Sequence, residues 1–292
     1  MRGKHLTLAA VCAAVLLSVA AASDAPAHPE LLVSTQWLAG HLSDSNLVIV
    51  HIARKNDDYR KAHIPGARYL AVTSIASPEH PGTELLPIDQ LKQNLEAIGI
   101  SDTSRIVIYT TDYDPIASRL FFTLDYLGHG SHAALLDGGL DRWTRESRPT
   151  TADEPHISPG KLAVHAHPEV VAKMDWVSKV VAGNAGGEPA ALVDARPMTR
   201  YTAGHLPGAM PMYWQTTQSD HLLRSPDELR QMFAAAGATA GRKVVSYCEV
   251  GQQASYVYFL ARYLGLDAAM YDGSYMEWSS ENQPVVKGEA PR

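Results

Sequence analysis

The sequence predicts an α/β protein in which one parallel-sheet domain is written twice, and two observations predict it. Residues return in register along the chain, and within each copy short apolar runs alternate with helix-length segments. The stretch Ala53-Arg54, Tyr59, His63-Ile64-Pro65-Gly66-Ala67 recurs as Ala195-Arg196, Tyr201, His205-Leu206-Pro207-Gly208-Ala209, each residue shifted by 142. Downstream, Arg105-Ile106-Val107-Ile108-Tyr109 pairs with Lys243-Val244-Val245-Ser246-Tyr247, and Tyr126-Leu127-Gly128 with Tyr263-Leu264-Gly265. Asp137-Gly138 through Trp143 pairs with Asp272-Gly273 through Trp278, so the shift drifts only from 142 to 135. Alternating strands and helices call for a parallel sheet covered on both faces.

The elements of the second copy follow from local signals. Ala191-Leu192-Val193 reads as a short buried strand, and Pro226 to Ala236 as a helix opened by Ser225 as N-cap. Val244 to Tyr247 is a second strand, followed by a helix from about Ala254 to Leu264 with Gly265 as its stop signal. Met270-Tyr271 adds one more strand. The expected organisation is a first domain over 31–148, a Pro-, Thr- and His-bearing linker over 149–168, and a second domain over 169–286.

The first 22 residues read differently. Arg2 and Lys4 precede an apolar run from Leu6 to Ala22. That run is about 17 residues, short for a span of about 20, and Ala20 and Ala22 supply an Ala-x-Ala pattern before Ser23. This is the expected pattern of a secretory signal peptide cleaved after Ala22, or second after Ala27, and it places the protein in the periplasm or outside the cell. No later segment has the length and apolarity for a bilayer span, so no stable membrane insertion is expected after cleavage. Net charge is −6 without a basic run, so the footprint of nucleic-acid binding is missing.

The chain has two cysteines, and Cys12 lies in the segment expected to be removed. The mature chain then carries one thiol, Cys248, which is either a buried filler or a reactive group. Its position favours the second reading. Cys248 ends an apolar strand, and Glu249, Val250, Gly251, Gln252 and Gln253 separate it from the next expected helix. Backbone N–H groups of such a loop converge as an anion-binding nest, and the helix N-terminus adds partial positive charge. Both are expected to favour thiolate over thiol. Gly251 gives the loop backbone freedom that other residues lack.

With these residues in view, the sequence resembles the tandem rhodanese family of sulfurtransferases across essentially the whole mature chain. The carrying residues are the paired His-Ile/Leu-Pro-Gly-Ala motifs, Asp194-Ala195-Arg196, the Tyr247-Cys248 loop, and Tyr271-Asp272-Gly273-Ser274 running to Glu277-Trp278. Asp137-Gly138-Gly139-Leu140 to Trp143 resembles the end of a first rhodanese domain. The resemblance implies two tandem rhodanese-like domains and a ping-pong reaction. Cys248 takes sulfane sulfur from a small donor as a persulfide and passes it to a thiol, cyanide or a protein acceptor, without a cofactor. Loop amides stabilise the charged persulfide. Arg200 matches an arginine that orients an anionic substrate, whereas Asp194 and Arg196 read as an ion pair or turn anchor supporting the site. His63 and His205 read as fold determinants. His165 and His167 lack a third ligand, so no metal site is expected.

The first copy places Thr110 where Cys248 stands, followed by a longer loop with Asp112, Asp114 and Pro115, and Ile52 at the position of Asp194. A hydroxyl cannot form a persulfide, so the first domain is expected to be inactive and to buttress the second. Donor signatures of the family are incomplete. Glu249 and Val250 replace the basic residues that follow the cysteine in thiosulfate-using relatives. Val250 also replaces the hydroxyl of mercaptopyruvate-using ones, whose first-domain Asp and His match Thr73 and Glu84 here. Two rival readings stand beside the enzyme. A phosphatase of rhodanese-like fold would need a longer loop closed by arginine, where this chain has Ala254. An exported sulfur carrier or partner-binding protein could use the same persulfide without turning over a small donor.

Overall fold

The computed structural model describes residues 26–77, 84–112, 114–183 and 189–291; the expected export signal at 1–22 lies outside them. No described helix is long and apolar enough to cross a membrane. The first domain runs β1 (Leu32–Val33), α1 (Thr35–His41), β2 (Leu47–Ala53), α2 (Asp57–Lys61), β3 (Arg68–Ala71), α3 (Ile88–Ala97), β4 (Arg105–Tyr109), α4 (Ile116–Tyr126), β5 (Ala133–Leu136) and α5 (Gly139–Arg145). The second runs β6 (Val171–Ala172), α6 (Met174–Val181), β7 (Ala190–Asp194), α7 (Met198–Ala203) and β8 (Met210–Pro211). It continues through a small hairpin, β9 (Gln218–Ser219) and β10 (Leu222–Leu223), to α8 (Pro226–Ala235), β11 (Lys243–Tyr247), α9 (Gln252–Tyr263), β12 (Ala268–Tyr271) and α10 (Ser274–Ser280).

Both five-stranded sheets are parallel throughout and share one order, β1-β5-β4-β2-β3 and β6-β12-β11-β7-β8. Their central strands are continuous apolar runs because both faces are covered. On one face, α1 and α5 or α6 and α10 enclose small cores that end on Trp143 and Trp278, both without exposure. Each indole N–H donates to the carbonyl six residues on, Pro149 at 2.7 Å and Pro284 at 2.8 Å. On the other face, the helices of both domains share one continuous core.

The repeated Pro-Gly turn is a packing unit. His63 stacks on Tyr59 at 3.9 Å, and His205 on Tyr201 at 3.8 Å. Each tyrosine hydroxyl donates across the turn, Tyr59 to the Ala67 carbonyl at 2.9 Å and Tyr201 to that of Ala209 at 2.8 Å. Gly66 and Gly208 sit at φ 80° and 83°, where a side chain would be strained. These histidines are fully buried and bonded to backbone carbonyls, which gives them a structural task.

The domains meet where α4 lies on α9. Nearly every residue of α4 is buried, because the helix packs on its own sheet and on its counterpart. The contacts are reciprocal. Ser118 and Ser255, related by a shift of 137, face each other at 3.0 Å. Phe121 meets Phe259 edge-on at 5.0 Å, and the shifted pair Phe122 and Tyr258 meet the same way at 5.1 Å. The duplicated halves are thus arranged about an internal near-twofold axis between these two helices. Leu85 N donates to Asp272 at 2.9 Å, and reciprocally Leu223 N donates to Asp137 at 3.2 Å. The segment between the domains carries no helix and wraps the first domain, with Leu162 N on Glu96 at 2.8 Å and His167 N on the Tyr126 carbonyl at 2.7 Å.

Two expectations are corrected by the backbone. The helix after Cys248 begins at Gln252, two residues earlier than expected, because Gly251 at φ 87° turns the chain at once into the helix. The strand ladder also reassigns the first-domain match of Asp194. Asp194 lies opposite Tyr247, and the residue opposite Tyr109 is His51, one place before Ile52. The Ala-Arg motif keeps its shift across a one-residue slip in β2.

Candidate active site

Cys248 stands at the carboxyl end of β11, the central strand, where open α/β sheets bind their ligands. Only three residues, Glu249 to Gly251, separate it from the helix that begins at Gln252. That tight turn aims backbone N–H groups of Val250, Gly251, Gln253 and Ala254 at the sulfur, with Gly251 N at 3.1 Å from Sγ. The loop is held from behind by α10. Ser274 Oγ accepts from Cys248 N at 3.2 Å and donates to the Tyr271 carbonyl, while Tyr275 N and Met276 N bond the carbonyls of Cys248 and Glu249.

Cys248 is only 1 % exposed, and that burial works against its charged form. Burial pushes the thiol above its ordinary value, and the converging amides offset that only in part. The expectation that the loop favours thiolate is therefore corrected for the resting protein. The nest is present, but desolvation outweighs it.

Beside the loop, Asp194 and Arg196 form a buried fork. Asp194 Oδ1 accepts from Arg196 N and Nε at 2.9 and 3.0 Å, and Oδ2 from Nη2 at 2.7 Å. Arg196 also bonds the Gly204 carbonyl at 2.7 Å, lies 4.0 Å over the Tyr275 ring, and reaches Glu249 at 3.3 Å. Burial works against its charge, but the hydrogen bond and charge of Asp194 more than restore it, so the guanidinium is held above its ordinary value. Glu249, half-exposed, thus faces this arginine rather than open solvent alone.

The structure brings together Cys248, the loop amides, Asp194, Arg196 and Glu249. It does not bring in Arg200, which lies exposed on α7 with no side-chain hydrogen bond or ion pair among the described residues. Gln252 faces the other domain and accepts from Arg54 at 2.7 Å. Of the first-domain positions, Thr73 is exposed, whereas Glu84 is half-buried beside Asp272. Burial, then the charges of Asp272 and Glu277, raise its carboxyl above the usual range.

Three residues take a part in the site that the sequence did not assign to them. Ser274 anchors the cysteine amide, and Arg119 and Asp272 form a fully buried ion pair across the domain boundary against Gly251. Arg119 had a readable signal, a charge inside an otherwise apolar helix pattern, but its partner lies 153 residues away.

The matching first-domain site is closed on itself. Thr110 Oγ1 donates to the Asp112 carbonyl within its own loop, and Arg54, the repeat partner of Arg196, turns outward to Asp114 and Gln252. The ladder counterpart of Asp194 here is His51 rather than a carboxylate, and burial, then His63, lower the His51 pKa to about 4. An open cavity of about 430 Å³ lies over this loop, lined by Arg54, Lys55, Lys61, Thr110 and several aspartates. Among the described residues no group of three or more His, Cys, Asp or Glu side chains is arranged to hold a metal ion.

The family model for the rhodanese-like domain matches this chain twice, at residues 34–146 and 177–281. The chain belongs to the rhodanese-like domain family. Among curated rhodanese relatives it is similar to the sulfur carrier protein TtuD of Thermus thermophilus, 29% identical, covering 90% of this chain and 99% of that one. It is similar to thiosulfate sulfurtransferases of Azotobacter vinelandii, 27% identical over 88% and 97%, and Pseudomonas aeruginosa, 27% identical over 91% and 98%. Among solved structures, the anaerobic ergothioneine biosynthesis enzyme of Chlorobium limicola shares the fold, with a TM-score of 0.80 at 23% identity over 90% of this chain and 71% of that one.

Because burial is the larger influence on Cys248, the charged form should be scarce at neutral pH and grow as pH rises through the elevated value. Alkylation by iodoacetamide should therefore have a pH midpoint above that of a free cysteine thiol, about 8.5. A midpoint below that value would mean that the amides dominate.

Proposed function

We propose that this protein is a sulfurtransferase working through a Cys248 persulfide. The observation that carries the reading is the set of four backbone N–H groups converging on a thiol at the carboxyl end of the central strand. The thiolate Sγ attacks the outer sulfur of thiosulfate or the thiol sulfur of 3-mercaptopyruvate. An S–S bond forms, the donor's bond to that sulfur breaks, and the electron pair leaves with sulfite or with the pyruvate fragment, which then takes up a proton. A thiolate or cyanide attacks the outer sulfur of the persulfide, and Sγ leaves as thiolate. The terminal sulfur carries the negative charge between the two half-reactions, and the loop amides are oriented in advance to receive it. In this reading the Asp194–Arg196 fork fixes the loop wall.

Incubation with each donor and cyanide, following thiocyanate, tests the reading. Turnover is expected with at least one donor, and Cys248→Ser should abolish it; activity retained in that variant would rule out the persulfide route. One arrangement favours a second reading, an exported sulfur carrier serving a protein acceptor. The two arginines standing against the loop are each paired with carboxylates, Arg196 with Asp194 and Glu249, Arg119 with Asp272, which leaves little charge for a dianion. Sulfur accepted from a protein donor with no turnover of either small donor would select that reading.

Glu249 is the residue through which donor preference is most directly probed. Glu249→Arg removes the carboxylate facing Arg196 and adds a cation, so the rate with thiosulfate should rise by about tenfold. Unchanged KM and kcat would dismiss the electrostatic account. The proposed export is checked by N-terminal sequencing of protein recovered from the periplasm or medium, expected to begin at Ser23; a retained Met1 would refute cleavage.

A further inference from the structure

We infer that Arg119, contributed by the first domain, is a positioning residue for Cys248, acting through Asp272 on the Gly251 turn. The inference rests on the reading of Cys248 as the nucleophile and adds to it what the inactive domain does. Arg119 lies in the second turn of α4 with no exposure. A guanidinium taken that far from water persists only with close compensation. Asp272 supplies it with both oxygens: Nη1 donates to Oδ1, and Nη2 to Oδ2 at 3.1 Å. Such a two-point fork fixes direction as well as distance. The same carboxylate accepts from Leu85 N, so two first-domain elements hold it.

Gly251 is seated on this pair. A Cβ at that position would stand 2.8 Å from both the carbonyl and Oδ1 of Asp272 and 3.2 Å from Nη1 of Arg119. The glycine's own N–H is the donor found 3.1 Å from Sγ. A continuous set of contacts therefore runs from α4 through Arg119, Asp272 and Gly251 to the sulfur.

The near-twofold arrangement supplies an internal comparison. Asp137 is the counterpart of Asp272 and accepts the reciprocal amide of Leu223. The counterpart of Arg119 under the same shift of 137 is Tyr256, which packs edge-on against Trp214 at 5.7 Å. The arginine fork thus stands on the side that has the thiol, and the side that has Thr110 lacks it.

The test is alkylation of Cys248 by iodoacetamide at fixed pH in the folded protein, read by the mass of the peptide that carries Cys248. Arg119→Met strands Asp272 and releases the turn, so the sulfur gains access and loses its burial penalty. Alkylation should accelerate about tenfold or more, and its pH midpoint should fall toward that of a free thiol. Asp125→Asn is the control. It disturbs the Tyr258 and Arg262 contacts at the far end of the same helix, weakening the same domain seam without touching the loop, and should alter the rate by less than about twofold. A wild-type rate in Arg119→Met, or equal acceleration in both variants, overturns the inference. If Arg119→Met does not fold, Arg119→Lys, which keeps the charge and loses the fork, is read in the same way: acceleration supports the inference and a wild-type rate overturns it. The assay counts thiol rather than turnover, so an absence of sulfurtransferase activity would sink the functional reading and leave this result standing.

Discussion

The packing of α4 against α9 is the constraint on which the rest of the structure depends. Each helix must cover the sheet of its own domain and also the helix of the other, so neither has a solvent face. This explains why α4 is buried nearly all round and why its charged residues find partners in the second domain. Arg119 reaches Asp272, and Asp125 receives Tyr258 and Arg262. It also explains why the first domain persists without a cysteine. It supplies half of a core that the second domain does not close alone.

At Cys248 two effects of comparable kind oppose each other. The tight turn that gathers four amides on the sulfur is also what removes the sulfur from water. In the resting thiol the second effect is larger, and burial raises the pKa. Adding a sulfur atom would change the balance, since the charge would move to a terminal atom one bond further from the strand end. The arrangement of Glu249 with Arg196 shows a similar compromise. A side chain that looks repulsive in isolation is half of a local pair, and its field at the sulfur is correspondingly reduced.

Much of this was legible in the sequence. The duplication, the parallel sheets, the cysteine at a strand end and the Asp194–Arg196 pair all depend on residues close together in sequence or repeated at a fixed shift. What was not legible depends on contacts between residues distant in sequence, within a copy or between the two. Arg119 and Asp272 are distant in sequence, and Ser274 becomes relevant only when α10 is seen behind the loop. The slip that moves His51 into the position assigned to Ile52 was hidden because the Ala-Arg motif keeps its shift while the strand before it does not. The direction of the thiol shift was missed because loop geometry is local, whereas burial is decided by the whole fold.

The reciprocal amides on Asp137 and Asp272 carry a consequence for assembly. They make the domain boundary an isologous interface, the kind that ordinarily joins two identical subunits, here enclosed within a single polypeptide. The surface through which such a domain would pair with a copy of itself is already occupied by its own duplicate. Any association between two whole chains must therefore use a different face, and it need not obey the internal symmetry that the duplication established.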